Sequence, residues 1–158
     1  MQGLSYLNSQ LGLIEISGDE NFIHRVQFVE EPQTVSSATA ATKFCAQELN
    51  AYFNAELRQF ESKLQAEGTD FQQKVWGELL KIPFGESISY TELAIRTGDV
   101  KNVRAVGLAN GRNPIAILIP CHRVIGKHGE LTGYAGGLNR KKLLLQHEGI
   151  LAEQLEIF

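Results

Sequence analysis

The sequence predicts an α+β protein in two parts: a small α/β domain over residues 1–67, then a mainly helical domain over residues 68–158. Three observations carry this. The first part holds two short apolar runs around a turn, followed by one apolar stripe at helical spacing. The second holds short helical patterns with strong start and stop signals. Charge divides the same way: residues 1–67 have four Lys/Arg against nine Asp/Glu, a net of −5, whereas residues 89–142 have nine against three, a net of +6. Such a split points to a polyanion as partner of the second part alone. The competing explanation is chance distribution over solvated faces.

Leu11 to Ser17 and Ile23 to Val29 alternate partly and flank Gly18-Asp19-Glu20-Asn21, which reads as an antiparallel hairpin. Glu30-Glu31-Pro32 closes the second strand. Ala38 to Phe53 fits a helix with Ala41, Phe44, Cys45, Leu49, Tyr52 and Phe53 near one face, so Cys45 reads as packing. Polar residues from Glu61 to Gly68 form a linker. Thr69 and Gln72 have capping-box spacing and open a helix whose inner stripe is Phe71, Val75, Leu79 and Leu80, joined by Trp76. Pro83 and Gly85 end it. Ser89 and Glu92 form a second capping box, opening Tyr90 to Thr97, which Gly98 stops. Asp99 can cap a further helix over Val100 to Ala109. Two short helices joined by a Gly-Asp turn read as a helix-turn-helix. Lys101, Arg104 and Arg112 make the polar surface of the second helix basic, as in a helix that enters a DNA groove; such a pair also occurs in plain bundles. A last helix runs from Leu138 to His147.

Composition bounds the rest. A chain of 158 residues with 43% apolar content can bury a real core. No apolar run approaches a membrane span, and Asn8, Ser9 and Gln10 interrupt any signal-peptide pattern. Cys45 and Cys121 give no disulfide framework, so a cytoplasmic location is expected. His24 is the one histidine near Cys45, which leaves the first part without the ligands of a closed zinc site.

The most informative residues are Ile119-Pro120-Cys121-His122-Arg123, which follow the apolar run Ile115 to Ile119. That run reads as a buried strand or a tight internal segment. A thiol is a nucleophile only as thiolate, and a neighbouring imidazole is a common way to generate one. The alternative is a buried cysteine with an incidental neighbour. Glycines between Gly126 and Gly137 permit tight turns and close ligand approach. Glu148, just past the last helix, could return to orient His122 and complete a Cys–His–carboxylate array. Otherwise it is an ordinary charge at a helix end, where a carboxylate is mildly disfavoured.

The segment Asn113 to Ile125 resembles the active-site signature of the 6-O-alkylguanine-DNA alkyltransferases, the methylated-DNA–protein-cysteine methyltransferases of direct-reversal repair. The resemblance continues through Phe84-Gly85-Glu86, Ser89-Tyr90, Arg104 to Gly107, Tyr134, Gly136 to Leu138 and His147-Glu148-Gly149, and covers roughly residues 69–150. It implies a ribonuclease H-like first domain and a helix-turn-helix, winged-helix-like second domain. It also implies a base-flipping suicide enzyme that moves the alkyl group of 6-O-methylguanine, and of 4-O-methylthymine, onto Cys121. His122 would take the thiol proton through a water, Glu148 would orient His122, and Asn113 would brace the turn between the recognition helix and the active-site segment. Arg104 would fill the gap left by the extruded base. Tyr90 would press on the target phosphate and donate to the base, and Tyr134 and Val124 would line its pocket. Gln72, Thr91, Asp99 and Lys127 fall where relatives touch the DNA backbone. The partner implied is double-stranded DNA carrying alkylated bases, met by a monomer with no cofactor, no metal and no membrane.

Two departures stand out. Ala135 follows the pocket tyrosine where relatives often carry a hydroxyl, which is expected to loosen the pocket. Asn110 stands near the end of the recognition helix, where some relatives pack an apolar residue into the groove. Two other readings compete. One is a non-catalytic relative that binds alkylated DNA, which the presence of Cys121 disfavours. The other is a Cys-His-Glu thiol hydrolase, which would leave Arg104 without a task.

Overall fold

The computed structural model describes residues 2–33 and 37–152; residues 1, 34–36 and 153–158, which the sequence reading assigned to the two domains, lie outside the described residues. Strands β1 (Gly3–Ser9), β2 (Gly12–Gly18) and β3 (Ile23–Phe28) form an antiparallel sheet in the order β1-β2-β3. The expected hairpin is β2–β3, with Ile14 opposite Phe28 and Ile16 opposite Val26. Strand β1 was not foreseen. Its inward residues include Gly3 and Ser5, so its buried face is not apolar. The sequence pattern therefore lacks the apolar alternation that marks a half-buried strand. A side chain at Gly3 would collide with Ser37 and Thr39, and Ser5 Oγ instead donates to Thr42 Oγ1 at 2.9 Å.

Helix α1 (Ala40–Phe53) starts behind Thr39, whose side chain accepts from Thr42 N while the Thr42 side chain accepts from Thr39 N. Its buried stripe is Thr42, Cys45, Glu48, Leu49 and Tyr52. Phe44, expected on that stripe, is 46% exposed, one step in helical angle outside it. Burial pushes the Cys45 thiol up to about 12, so this cysteine is packing material and a poor nucleophile.

Helix α2 (Asp70–Leu79) carries the full Thr69–Gln72 capping box and buries Val75, Trp76 and Leu79. Leu80, placed on its inner stripe from the sequence, is 51% exposed at the helix end. Strand β4 (Ile88–Ser89) leads into α3 (Tyr90–Thr97), where Ser89 accepts from Glu92 N and Gly98 takes a positive φ of 138°. Asp99 accepts from Lys101 N and starts a 3-10 turn, Val100–Asn102, before α4 (Val103–Gly111). The sequence suggested one helix across both. Trp76 Nε1 donates to Ala109 O at 2.9 Å and ties α2 to α4.

The chain then returns to the sheet. Val26 N donates to Pro114 O and Ala116 N to Val26 O, both at 3.0 Å, so the free edge of β3 holds the segment that leads to the thiol. Ile115 to Ile119 is not a strand. It turns tightly at Ile117, a β-branched residue at φ 73°, where only surrounding structure sustains the strain. Residues Cys121–Arg123 form one 3-10 turn, and β5 (Val124–Ile125) pairs in parallel with β4. Helix α5 (Leu138–His147) buries Lys141, Leu144 and Leu145. One core joins the two parts, with Ile14, Ile16 and Leu49 from the first and Val75, Leu93, Ile119 and Val124 from the second. Among the described residues no helix is long and apolar enough to cross a membrane.

Candidate active site

Cys121 opens the 3-10 turn, 6% exposed, and burial pushes its thiol up, opposed by the Asn113 side chain and the Lys141 charge. It is therefore a protonated thiol at rest and needs a base to become a nucleophile. Asn113 braces the turn before it: Oδ1 accepts from Ile115 N at 3.0 Å and Nδ2 donates to Ile119 O at 2.7 Å.

His122 is fully buried, and its Nε2 lies 2.8 Å from Glu148 Oε2. A carboxylate only accepts, so Nε2 carries the proton and Nδ1 is the basic nitrogen. Nδ1 is buried and has no partner among the described residues. Burial holds His122 below its ordinary value, against the pull of Glu148, so the ring is neutral at neutral pH. Burial alone would raise Glu148, but the hydrogen bonds and charges of His122 and Arg123 override it and hold the carboxyl well below the usual carboxylate range. Glu148 is 4% exposed, so it is not a solvated helix-end charge.

Arg123, given no role in the sequence reading, completes this array. Its Nε donates to Glu148 Oε1 at 2.7 Å, one terminal nitrogen to Oε2 at 3.0 Å, and the other to Ile82 O at 2.6 Å. Lys141 was also missed. Its Nζ, inside the fold, donates to Val124 O at 2.7 Å, Thr132 O at 2.9 Å and Tyr90 Oη at 3.4 Å, and burial lowers it to about 8. A signal existed: Lys141, Leu144, Leu145 and Glu148 fall at i, i+3, i+4 and i+7, so two charges share the inner face of the last helix.

Tyr90 is half-buried and donates to Thr132 O at 3.2 Å; burial raises its hydroxyl. Tyr134 Oη is buried without a partner among the described residues, and burial raises it strongly, helped by the neighbouring Cys121. A cavity of about 160 Å³ brings together Cys121, Asn113, Tyr134 and Ala135. A wider groove of about 590 Å³ beside it is lined by Tyr90, Arg104, Tyr134 and Ala135. Tyr134 and Ala135 are thus the wall between thiol and groove. A separate hollow of about 780 Å³, lined by Arg58, Phe84 and Arg123, does not include Cys121.

Arg104 is exposed on α4 at the mouth of that groove. One expectation needs correction. The Val124 side chain is fully buried in the core and does not line the cavity; its carbonyl is engaged by Lys141. Asn110, noted in the sequence as a departure, is 2% exposed, and its Nδ2 donates to Cys121 O at 3.3 Å, tying α4 to the thiol residue. The four backbone-contact candidates are not gathered at the cavity. Gln72 and Asp99 spend their side chains on helix caps, Thr91 sits half-buried in the first turn of α3, and Lys127 is exposed after β5. Among the described residues no three His, Cys, Asp or Glu are grouped to hold a metal ion.

A buried thiol with an imidazole–carboxylate–guanidinium chain behind it, beside a helical pair that exposes Lys101 and Arg104, defines a protein that uses cysteine chemistry beside a surface suited to nucleic acid. Residues 70–150 match the DNA-binding domain of 6-O-methylguanine DNA methyltransferase, and residues 4–66 match its ribonuclease-like domain. The methylated-DNA–protein-cysteine methyltransferase of Methanosarcina acetivorans is 47% identical over 147 residues, covering 89% of this chain and 94% of the relative. The Mycobacterium tuberculosis protein of the same name is 46% identical over 147 residues, covering 90% and 89%. The crystal structure of M. tuberculosis O6-methylguanine methyltransferase superposes with a TM-score of 0.85 at 44% identity, covering 94% of this chain and 93% of that one. The structure of M. tuberculosis OGT in complex with DNA gives 0.83 at 46%, covering 90% of each. The chain belongs to the 6-O-methylguanine DNA methyltransferase family.

Proposed function

We propose that Cys121 is the acceptor in direct-reversal repair, taking the methyl group from 6-O-methylguanine, and from 4-O-methylthymine, in double-stranded DNA. Family membership makes the protein a DNA-binding methylated-DNA–protein-cysteine methyltransferase. The observation that carries the assignment to Cys121 is the buried Nδ1 of His122, without a partner among the described residues, with Nε2 held by Glu148. A buried ring nitrogen needs a partner, and a single water can relay the thiol proton to it.

The step balances simply. Nδ1 receives the thiol proton, Sγ attacks the methyl carbon, and the carbon–oxygen bond breaks with its electrons passing to the base oxygen. Tyr90, which lines the groove, turns its hydroxyl from the Thr132 carbonyl to donate to the leaving base. The target carbon lies inside a stacked duplex, so the nucleotide must flip outward, and Arg104 at the groove mouth fills its place. Tyr134 and Ala135 border the flipped base, and Gln72, Thr91, Asp99 and Lys127 meet the DNA backbone. The product thioether has no carbonyl for water to attack, so each molecule acts once. Two unpaired cysteines fit a reducing cytoplasm, where the protein acts as a monomer.

The test is Cys121→Ala. It should bind methylated duplex as tightly as the parent and transfer nothing; any transfer by this variant contradicts the assignment.

A further inference from the structure

Tyr52 belongs to α1, in the sheet-bearing part of the chain, yet its hydroxyl lies 2.6 Å from Glu148 Oε2 across 96 positions of sequence. The sequence reading placed it on an apolar stripe. We propose that Tyr52 is a positioning residue of the transfer reaction, fixing the orientation of the Glu148 carboxylate and thereby the tautomer of His122. The proposal rests on the proton-accepting role given to His122 above.

Three facts support it. First, the ring is packed on several sides. Tyr52 is fully buried, and its ring centroid is 4.8 Å from His147, 5.5 Å from Phe60 and 6.0 Å from Phe84. His147 Nε2 lies 2.7 Å from the Tyr52 carbonyl, which fastens the backbone as well. Second, the direction of the hydrogen bond is settled by chemistry. An ionised carboxylate only accepts, so the phenol donates. Burial and the Glu148 charge both push the phenol up, which keeps it protonated. Third, the carboxylate is filled. Oε2 accepts from Tyr52, His122 and Arg123, and Oε1 from Arg123 and, at 3.4 Å, from Gly85 N. Tyr52 is the hydroxyl donor of this set. Arg123 could hold the carboxylate in more than one rotation, whereas the added rigid donor selects the one that meets Nε2.

The proposal has a pH signature that a mere packing role lacks. The groups facing the pair are Arg123 on the 3-10 turn, Lys141 and His147 on α5, Tyr134 and Cys121 at the cavity, and Tyr52 on α1. Burial depresses His122 first, and Glu148 opposes that depression. Donation from Tyr52 draws off part of the Glu148 charge. Without it, Glu148 pulls harder on the His122 proton, so His122 stays protonated to higher pH. Transfer requires neutral His122, so the acid limb of its rate must move up.

The experiment compares the parent with Tyr52→Phe, Leu49→Ala and His122→Ala in single-turnover methyl transfer from a methylated duplex across pH, alongside duplex affinity and thermal midpoint. Leu49 is fully buried on the same helix, and its apolar side chain has no donor for Glu148. Tyr52→Phe should react roughly tenfold more slowly at neutral pH, the scale of one charge-assisted hydrogen bond, with its acid limb raised by about half a pH unit and duplex affinity unchanged. Leu49→Ala should lower the midpoint and keep the parental acid limb. A Tyr52→Phe acid limb superimposed on the parent's, or a rate loss that only matches lost folded protein, overturns the proposal. His122→Ala reacting at the parental rate would instead overturn the role of His122. In the unsubstituted protein the Tyr52 hydroxyl proton should give a slowly exchanging NMR resonance; rapid exchange with water overturns the proposal without any variant.

Discussion

Glu148 organises the site by what it accepts. It has Tyr52, His122 and Arg123 around one carboxylate, all buried. A buried pair is costly to break from one side, because the partner left behind keeps its charge without compensation. Arg123→Ala should therefore lower unfolding free energy by about 3–5 kcal/mol, read by denaturant titration. Part of that loss is packing, since the Arg123 guanidinium also lies 5.9 Å from the Phe84 ring centre. A loss under about 1 kcal/mol would place Arg123 among ordinary surface pairs and contradict this account. Arg123 was overlooked because an arginine in sequence looks like surface charge, and neither hydropathy nor spacing shows that it faces inward. Glu148 was easier, since a carboxylate is mildly disfavoured at a helix end and a Cys-His pair has a place for one.

At the scale of elements, the 3-10 turn after α3 and the start of α4 expose Lys101 and Arg104, while α4 also reaches the thiol through Asn110. Arg104→Ala changes only that exposed surface. It should slow transfer from duplex DNA roughly ten- to hundredfold, as expected if the arginine offsets a few kcal/mol of base extrusion. Transfer from a free alkylated guanine base should be unchanged. Equal losses with both substrates would show that Arg104 supports the fold rather than base extrusion. The helices were legible because their ends are written locally: Thr69 with Gln72, Ser89 with Glu92, and Gly98 at positive φ each close a helix end with their own atoms. The parts that were not legible depend on distant partners. Strand β1 hides because Gly3 and Ser5 face α1 where apolar residues would be expected. The run before Cys121 looks like a strand by composition, yet β3 and Asn113 bend it into a turn through Ile117. Asn110 points inward because its helix ends against the thiol residue, a contact no local pattern records.

Across the whole molecule, the catalytic array and the junction between the sheet and the helical part are the same place, so acid should undo both. His122 has a folded value held below its ordinary 6.5, so the folded state resists its protonation and stability falls as pH drops below that value. Glu148 is likewise depressed from 4.5, and its contribution, present above that value, is lost on further acidification. The thermal midpoint should therefore be flat near neutrality, decline below about pH 6.5 and fall more steeply below about 4.5. A His122→Ala variant should lose the first decline, and its persistence would assign that decline elsewhere. One particular buried thiol, Cys121, is expected to receive the methyl group. Intact mass and peptide mapping after incubation with a methylated duplex test it directly. The protein should gain one methylene per molecule, all of it on the Cys121 peptide and none on Cys45. No gain, or a gain on Cys45, would contradict the account.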